Sequence, residues 1–306
     1  MTSAPPQASA LQLQRALIKI TRRSMTQTPT PSSSNFLMSP HLSLPQELIN
    51  EVVDNLTHNA DVEACSLVSR NWGYPARKRL LHHVRVCPDG VEDWLSRPPE
   101  SIKRMAPHIV KFELGDHWSR SRGAPPFRWD DTKRFLTRLI SSLTASPVRW
   151  LKIESFGVGG FSKATLEQCF EPIFRSLHSL ELGNITACTD ATRYFISLFP
   201  NLDDLRIGNV LPPSRQPPSE WVGCGIKHSP RLSGTLQLSN AEGVDNSEVF
   251  TSVTSLSPRF RVISLGKITD SNWSAVLGLT EACAETVESV PLVWWQYSGM
   301  KCAQCR

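Results

Sequence analysis

Three groups of residues have the types and spacing that could support chemistry. His82 and His83 lie shortly before Cys87, and Cys302 and Cys305 form a C-x-x-C pair near the end of the chain. Nitrogen and sulfur ligands at such spacing suit zinc, but each group lacks the second ligand pair that a zinc site needs. The glycine-rich segment 157–160 lacks the G-x-G-x-x-G spacing and precedes no Walker lysine, which indicates a plain turn. The sequence therefore predicts neither a metal nor a cofactor.

Catalysis needs a nucleophile beside a base, paired carboxylates or a metal cluster, and each leaves a recognisable signature. No such signature is present in these 306 residues. The chain is therefore expected to be non-catalytic, and its function is expected to lie in surfaces that bind other proteins.

Composition narrows the class of protein. The chain is 40% hydrophobic and 20% charged, as in soluble globular proteins, and no apolar run is long enough to span a membrane. Four basic residues before residue 46, where no acid occurs, account for most of the net charge of +5. The remainder is near neutral, which argues against nucleic acid as a partner. Eight scattered cysteines without a preceding secretory segment favour a reducing compartment, the cytoplasm or the nucleus.

The first 40 residues are rich in Ser, Thr, Pro and Gln, a composition typical of disorder. Within them, the segment LQLQRALIKITRRSM is basic, free of acids and partly amphipathic. It fits a mitochondrial presequence as well as an incidental helix, so mitochondrial import remains an alternative.

Order is predicted to begin near Ser43, which has the spacing of a capping box with Gln46, and Pro45 suits a first helical turn. Five aliphatic residues then share one helical face: Leu48, Ile49, Val52, Val53 and Leu56. Two further helix starts are predicted at Asp61 and Pro75. The spacing therefore predicts three short helices within about forty residues, near the lower size limit for an independent unit.

This segment resembles the F-box motif, particularly its fungal form. The resemblance spans residues 42 to 86 and is carried by Leu44-Pro45, by Glu47-Leu48-Ile49, by the run ACSLVSR ending at Arg70, and by Trp72. It implies an F-box unit that docks on the Skp adaptor of a cullin-based ubiquitin ligase, with catalysis supplied by other subunits. The residues that it implies for adaptor binding are Leu44, Pro45, Leu48, Val52, Val53, Leu67, Val68 and Trp72. Trp72 suits core filling equally well.

The rest of the chain contains an internal repeat. Six segments share the spacing L-x-x-L-x-L and end at Leu114, Ile153, Leu182, Ile207, Leu238 and Leu265. Three of them are followed two residues later by Asn, as in leucine-rich repeats, and five are preceded by a proline that ends the previous element. Helical patterns lie between the segments, at 130–143, 190–199 and 246–256.

Alternating strands and helices at this period predict a curved leucine-rich-repeat solenoid with a parallel β-sheet on its concave face. Together with the three-helix module that resembles an F-box, this gives an expected α/β fold in which the short helical module comes first and the solenoid follows. The expected domains are a tail at 1–40, an F-box at 41–86, a repeat domain at 87–290 and an irregular or truncated segment at 291–306. Residues that alternate with the core positions are expected to lie on the concave side, where they form either a solvated sheet face or the surface that meets a protein substrate: Lys111, Glu113, Lys152, Glu154, Glu181, Arg206, Gln237 and Ser264.

The resemblance thus implies the substrate-recognition subunit of a Skp-cullin-F-box ligase. A repeat scaffold without ligase recruitment is the alternative. In the scaffold reading, the F-box-like segment only caps the solenoid. Exposure of Leu48 and Val53 in the free chain would discriminate between the two.

Overall fold

A computed structural model describes residues 44–86, 96–115, 147–154, 157–186, 188–211, 219–239, 247–268 and 271–294, together with residues 90, 93, 94 and 137. Contacts divide the chain into two compact units, with the boundary between Leu80 and Leu81. The predicted tail, most of the predicted helix at 130–143, Ser43 and the three cysteines of the candidate metal groups lie outside the described residues.

The first unit is built from helices α1 (Gln46–Asn55), α2 (Asn59–Ser66) and α3 (Arg70–His82). Its core is small, and Leu56, Cys65 and Leu80 pack against the buried residues Ile49, Val53, Val62, Trp72 and Ala76. The Arg79 guanidinium donates to the backbone carbonyls of Asp54 and Leu56 at 2.8 and 2.6 Å. These carbonyls lie at the end of α1, where the helix leaves acceptors without partners, so a cation stabilises them.

Helix α3 continues through a proline. The sequence predicts its start at Pro75, but it begins at Arg70 and buries Trp72, Pro75 and Ala76. Proline has no N–H, so the Asn71 carbonyl, four residues earlier, loses its helical donor. The Gln46 side chain supplies a replacement, because its Nε2 donates to that carbonyl at 3.1 Å. The predicted boundary was wrong because this donor comes from another helix.

The start of α1 also differs slightly from the prediction. Pro45 precedes the helix in an extended conformation, with φ −50° and ψ 143°, and the helix begins at Gln46. The Gln46 Nε2 donates both to the Asn71 carbonyl and to Oδ1 of Asn50. Its side chain thus joins two helices of the unit.

The second unit contains one parallel sheet whose described strands follow the order β1-β2-β3-β4-β6-β8-β9-β10. The strands are β1 (His83–Val86), β2 (Lys111–Leu114), β3 (Trp150–Glu154), β4 (Ser179–Gly183), β6 (Asp204–Ile207), β8 (Thr235–Leu238), β9 (Val262–Lys267) and β10 (Leu292–Trp294). Two shorter strands, β5 (Ile185–Thr186) and β7 (Val210–Leu211), pair separately. In the larger sheet, the strands lie side by side in the order in which they occur along the chain.

The described helices of this unit are α4 (Pro99–Met105), α5 (Lys163–Phe170), α6 (Thr189–Ser197), α7 (Ser247–Thr254) and α8 (Trp273–Ala282). Side chains alternate along each strand, and one face of the sheet is apolar and buried, as at Leu180 and Leu182. Helix residues such as Phe170 and Phe195 belong to the same core cluster. The helices therefore cover the apolar face, and the other face carries the polar residues.

The α/β class and the parallel sheet are confirmed, and all six predicted strand segments form neighbouring strands. The structure adds two strands to this sheet. Residues 83–86, which the prediction placed in the helical module, form β1 and pair with β2. Residues 292–294, predicted to be irregular, form β10 and pair with β9. The segment 157–160, predicted to be a plain turn, contains a short 3-10 helix at Val158–Gly160.

Candidate interaction surfaces

Helix α1 exposes a row of apolar side chains. Leu48 and Val52 are four residues apart and project from the same side of the helix, and Leu44 lies just before its first turn. Leu44 and Leu48 are each 46% exposed, and Val52 is 37% exposed. We call these three residues the α1 stripe. The predicted apolar face is therefore divided, because Ile49 and Val53 point into the core while the stripe faces outward.

Two further aliphatic residues are exposed just after α2. Leu67 is 85% exposed and Val68 is 66% exposed, more than the residues of the α1 stripe. Their backbone amides bond back to the carbonyls of Ala64 and Cys65, which ties this turn to the end of α2. Exposing aliphatic side chains on a fixed backbone has no benefit to the isolated unit, since burial would be favourable.

The other residues that the resemblance implies for adaptor binding lie in two environments. Pro45 is exposed at the start of α1. Val53 is fully buried and Trp72 is 9% exposed, and both belong to the core of the helical unit. In this conformation they can support a contact surface from behind but cannot form it. Exposure of Leu48 and Val53 was expected to distinguish a ligase subunit from a repeat scaffold. The result is mixed, because Leu48 is exposed and Val53 is buried.

The polar face of the sheet carries a row of side chains with alternating charge. Register aligns one residue from each strand from β1 to β9 of this sheet at the same level: Arg85, Glu113, Lys152, Glu181, Arg206, Gln237 and Ser264. We call this the central row. Opposite charges on neighbouring strands attract one another, so each strand helps to fix the position of the next.

Glu113 is the most enclosed member of the row. It is only 5% exposed, although it lies on the polar face. Arg85 Nε contacts its Oε2 at 2.7 Å, and His83 Nε2 lies 3.2 Å from the same oxygen. The Glu113 carboxylate is thus occupied within the sheet, so the prediction that it meets a substrate directly does not fit its burial.

Lys152 lies among three carboxylates. Its Nζ is 2.8 Å from Glu154, 3.0 Å from Glu181 and 3.9 Å from Glu113. Burial works against the charged amine, but the hydrogen bonds with Glu154 and Glu181 outweigh it and raise the pKa of Lys152. The surroundings of this amine are therefore net negative.

The row becomes more open toward β8. The Arg206 side chain is 53% exposed, and its ion pair with Glu181 is long, at 3.8 Å. Gln237 is exposed and Ser264 is half-buried. Lys111, also predicted to face a substrate, is exposed one level nearer the amino ends of the strands. The residues of this face that could reach a ligand are thus mainly Lys111, Glu154, Glu181, Arg206 and Gln237.

A groove crosses the carboxyl ends of the strands, next to the central row. It has a volume of about 370 Å³, and its lining includes Glu154, Gly183, Gly208 and Ser239 from successive strands. The register explains this alignment, since Glu154 pairs with Gly183, and the amides of Gly208 and Ser239 bond to the carbonyls of the preceding strands. Two of these four positions are glycines without a side chain, so the sheet backbone forms the floor of the groove there.

The Glu154 side chain has room on the polar face because glycines occupy the neighbouring positions on both sides of it. A Cβ atom at Gly115 would lie 2.9 Å from the Glu154 Cβ, and one at Gly183 would lie 3.2 Å from its Cγ. At Gly208 the nearest atoms would be 3.5 Å away, which is ordinary contact. Gly115 and Gly183 therefore make room for Glu154, whereas a Cβ atom at Gly208 would fit without a clash.

The sequence-based prediction missed several residues of this face. Arg85 was assigned to the helical module, and no signal marked β1 as a strand of the sheet. Asn184 and Asn209, two residues beyond the last apolar position of their repeats, were noted only as a repeat feature. They line the groove, and Asn209 Nδ2 donates to Asn184 Oδ1 at 2.8 Å.

Within the described ranges, no three His, Cys, Asp or Glu side chains are grouped closely enough to hold a metal ion. In the same part of the chain, no helix is long and apolar enough to cross a membrane. No protein-family model matches the chain, and neither does any curated protein. The interpretation of these surfaces therefore depends on their own geometry and on the F-box resemblance.

Proposed function

We propose that this chain is the substrate-recognition subunit of a Skp-cullin-F-box ubiquitin ligase. The helical unit docks on the Skp adaptor, and the polar face of the sheet binds a protein substrate. In this proposal the repeats of the second unit are leucine-rich repeats that form a curved solenoid, with the polar face on its concave side.

The observation that carries the proposal is the exposure of aliphatic residues at five positions that the F-box resemblance assigns to the adaptor. They are Leu44, Leu48, Val52, Leu67 and Val68. Burying a half-exposed leucine against a partner stabilises a complex by about 1 kcal/mol, so five such residues can support a specific contact.

The division of α1 between two faces supports the same function. Ile49 and Val53 hold the helix against the core of its own unit. The α1 stripe can therefore be covered by a partner without opening that core. A unit with so few buried residues gains stability when a partner covers its exposed aliphatic side chains.

The chemical role of the chain in this proposal is positioning. A substrate held on the sheet face is brought near the ubiquitin-charged enzyme that the cullin recruits, and the effective concentration of its lysines rises. The chain itself supplies no reacting group. Lys111, Arg206 and Gln237 are the residues of the predicted substrate face with the most exposed side chains.

The test is direct binding of the purified chain to the Skp adaptor. The wild type should bind, and the double variant Leu44→Ala/Pro45→Ala should bind at least tenfold more weakly, because it removes one stripe residue and the rigid entry to α1. Val222→Ala is a matched control, since Val222 is also exposed, at 72%, but lies in the sheet unit.

Equal binding by the wild type and the double variant would refute the assignment of the site. No binding by a folded wild type would refute the ligase function and leave a repeat scaffold without ligase recruitment. Equal weakening by Val222→Ala would show that the contact is not specific to the helical unit.

A further inference from the structure

The groove on the polar face has the dimensions of an extended peptide. It crosses four strands, from Glu154 on β3 to Ser239 just after β8. Neighbouring strands are about 4.8 Å apart, so these end residues are roughly 14 Å apart. An extended chain covers this distance with about four residues.

The floor of the groove allows a peptide backbone to approach closely. Gly183 and Gly208 place no side chain on the polar face, so the sheet backbone is accessible there. Asn184 and Asn209 lie on one side of this floor, and Glu181, Arg206 and Gln237 lie on the other. Amide groups of this kind pair with the alternating donors and acceptors of a main chain.

Charge distinguishes the two ends of the groove. The end at β3 and β4 carries the carboxylates of Glu154 and Glu181, which share one amine, that of Lys152. Glu113, the third carboxylate near Lys152, is paired with Arg85 at 2.7 Å. Arg206 approaches Glu181 only at 3.8 Å. Among the described side chains, Lys152 is thus the one cation within 3.0 Å of Glu154 and Glu181, whereas the end at β8 is neutral, with Gln237 and Ser239.

We propose that this groove binds an extended segment of a protein partner that places a lysine or arginine side chain against Glu154 and Glu181, with small or uncharged residues over Gly208. The cationic side chain adds a charge-assisted hydrogen bond that these shared carboxylates can still accept. The proposal deepens the proposed substrate face by naming a substrate class, but it requires neither the adaptor nor the ligase.

The probe for the test is a phage-displayed library of random heptapeptides, selected on the immobilised full chain. Peptides enriched by the wild type should contain a lysine or arginine, accompanied by small or uncharged residues. Gly208→Val should abolish their enrichment, because its side chain fills the floor. Gly225→Val should retain it, since Gly225 is exposed, has open space around it and lies outside the groove.

A second variant tests the charge without changing the shape. One enriched peptide and its Lys→Gln analogue are synthesised, and their binding is measured by fluorescence anisotropy. Glu154→Gln should weaken binding of the lysine peptide about tenfold and leave binding of the glutamine analogue unchanged. Circular dichroism and the melting temperature of each variant show whether the fold is retained.

Several results would overturn the proposal: no enrichment over empty support, enriched peptides without a basic residue, enrichment of acidic peptides, or equal binding by folded Gly208→Val. The adaptor is absent from this experiment, and the α1 stripe is unchanged in every variant. A failure here therefore leaves adaptor binding unaffected, and a failure of adaptor binding does not affect this result.

Discussion

Val52 and Val53 are adjacent residues of the same type in different environments, and they provide the sharpest test of the divided α1 face. Val53 is 0% exposed and Val52 is 37% exposed. Val53→Ala removes two buried carbons, worth about 1.6 kcal/mol by transfer, and a residual cavity raises the cost to about 2 kcal/mol. Alanine is the better helix former and returns about 0.5 kcal/mol. The net destabilisation is about 1.5 kcal/mol, a factor of about ten in the opening equilibrium.

Val52→Ala should have a much smaller effect on stability. Because Val52 is about two-thirds buried, the substitution costs about two-thirds of the full transfer free energy, about 1 kcal/mol. The exposed position leaves no enclosed cavity. The gain in helix propensity offsets half of this, so the net cost is about 0.5 kcal/mol, a factor of about two. Adaptor binding should show the reverse order. Val52→Ala removes apolar contact area from the α1 stripe, whereas Val53→Ala leaves this exposed surface unchanged.

Native-state hydrogen exchange followed by mass spectrometry measures the opening of this unit separately from the sheet unit. Peptides from residues 46–82 should exchange about tenfold faster in Val53→Ala and about twofold faster in Val52→Ala. Adaptor affinity is then measured under conditions in which both variants remain folded. Equal acceleration by both variants, or a larger loss of adaptor affinity in Val53→Ala, would refute the division of α1 into a core side and a contact side.

Three further predictions concern the sheet unit, and each is checked by urea or thermal unfolding. Lys152→Met should lower the free energy of unfolding at pH 7 by about 2 kcal/mol, because it removes the cation that Glu154 and Glu181 share. Hydrogen bonding raises the pKa of Lys152 in the folded protein, so its full contribution to stability is present below the unfolded pKa of 10.5. The wild type should lose this stability as the pH rises through the higher pKa of the folded state. Gly115→Ala should destabilise by about 1 to 3 kcal/mol by crowding the glutamate that ends β3, whereas Gly208→Ala should change stability by less than about 0.5 kcal/mol. The hydrogen bond from Lys227 lowers the pKa of Glu167, so their pairing stabilises the fold above pH 4.5. The wild type should lose this stability as the pH falls through the lowered pKa of Glu167. Lys227→Met lacks the pairing, so its free energy of unfolding should fall less in acid. A pH profile of Lys152→Met or Lys227→Met identical to that of the wild type, or equal effects of the two glycine variants, would contradict the corresponding assignment.

Much of the fold could be predicted because its signals are local. The L-x-x-L-x-L spacing locates six strands, since alternation places the same residue types on one face of every strand. The register could not be read in the same way. It depends on which strands become neighbours, and only the assembled sheet brings Lys152 between Glu113 and Glu181.

Predictions failed or fell short where a distant partner decides the local structure. Pro75 looks like a helix start, but the Gln46 side chain satisfies the carbonyl that this proline leaves without a donor, so α3 begins earlier. Residues 83–86 form a strand because β2 offers an edge to pair with. Periodicity within a short segment contains no information about such a neighbour.

The candidate surfaces show the same division. From residue types alone, one can identify the aliphatic residues of α1, the charged residues of the strands and the F-box resemblance that links the former to an adaptor. Tertiary structure decided that Val53 and Trp72 are buried while Leu48 and Val52 are exposed, and that Glu113 is enclosed while Arg206 is open. It also brought Glu154, Gly183 and Gly208 from successive strands together to form a groove. Side-chain type and spacing are properties of the chain, whereas exposure and ion pairing depend on the strands and helices that pack around each residue.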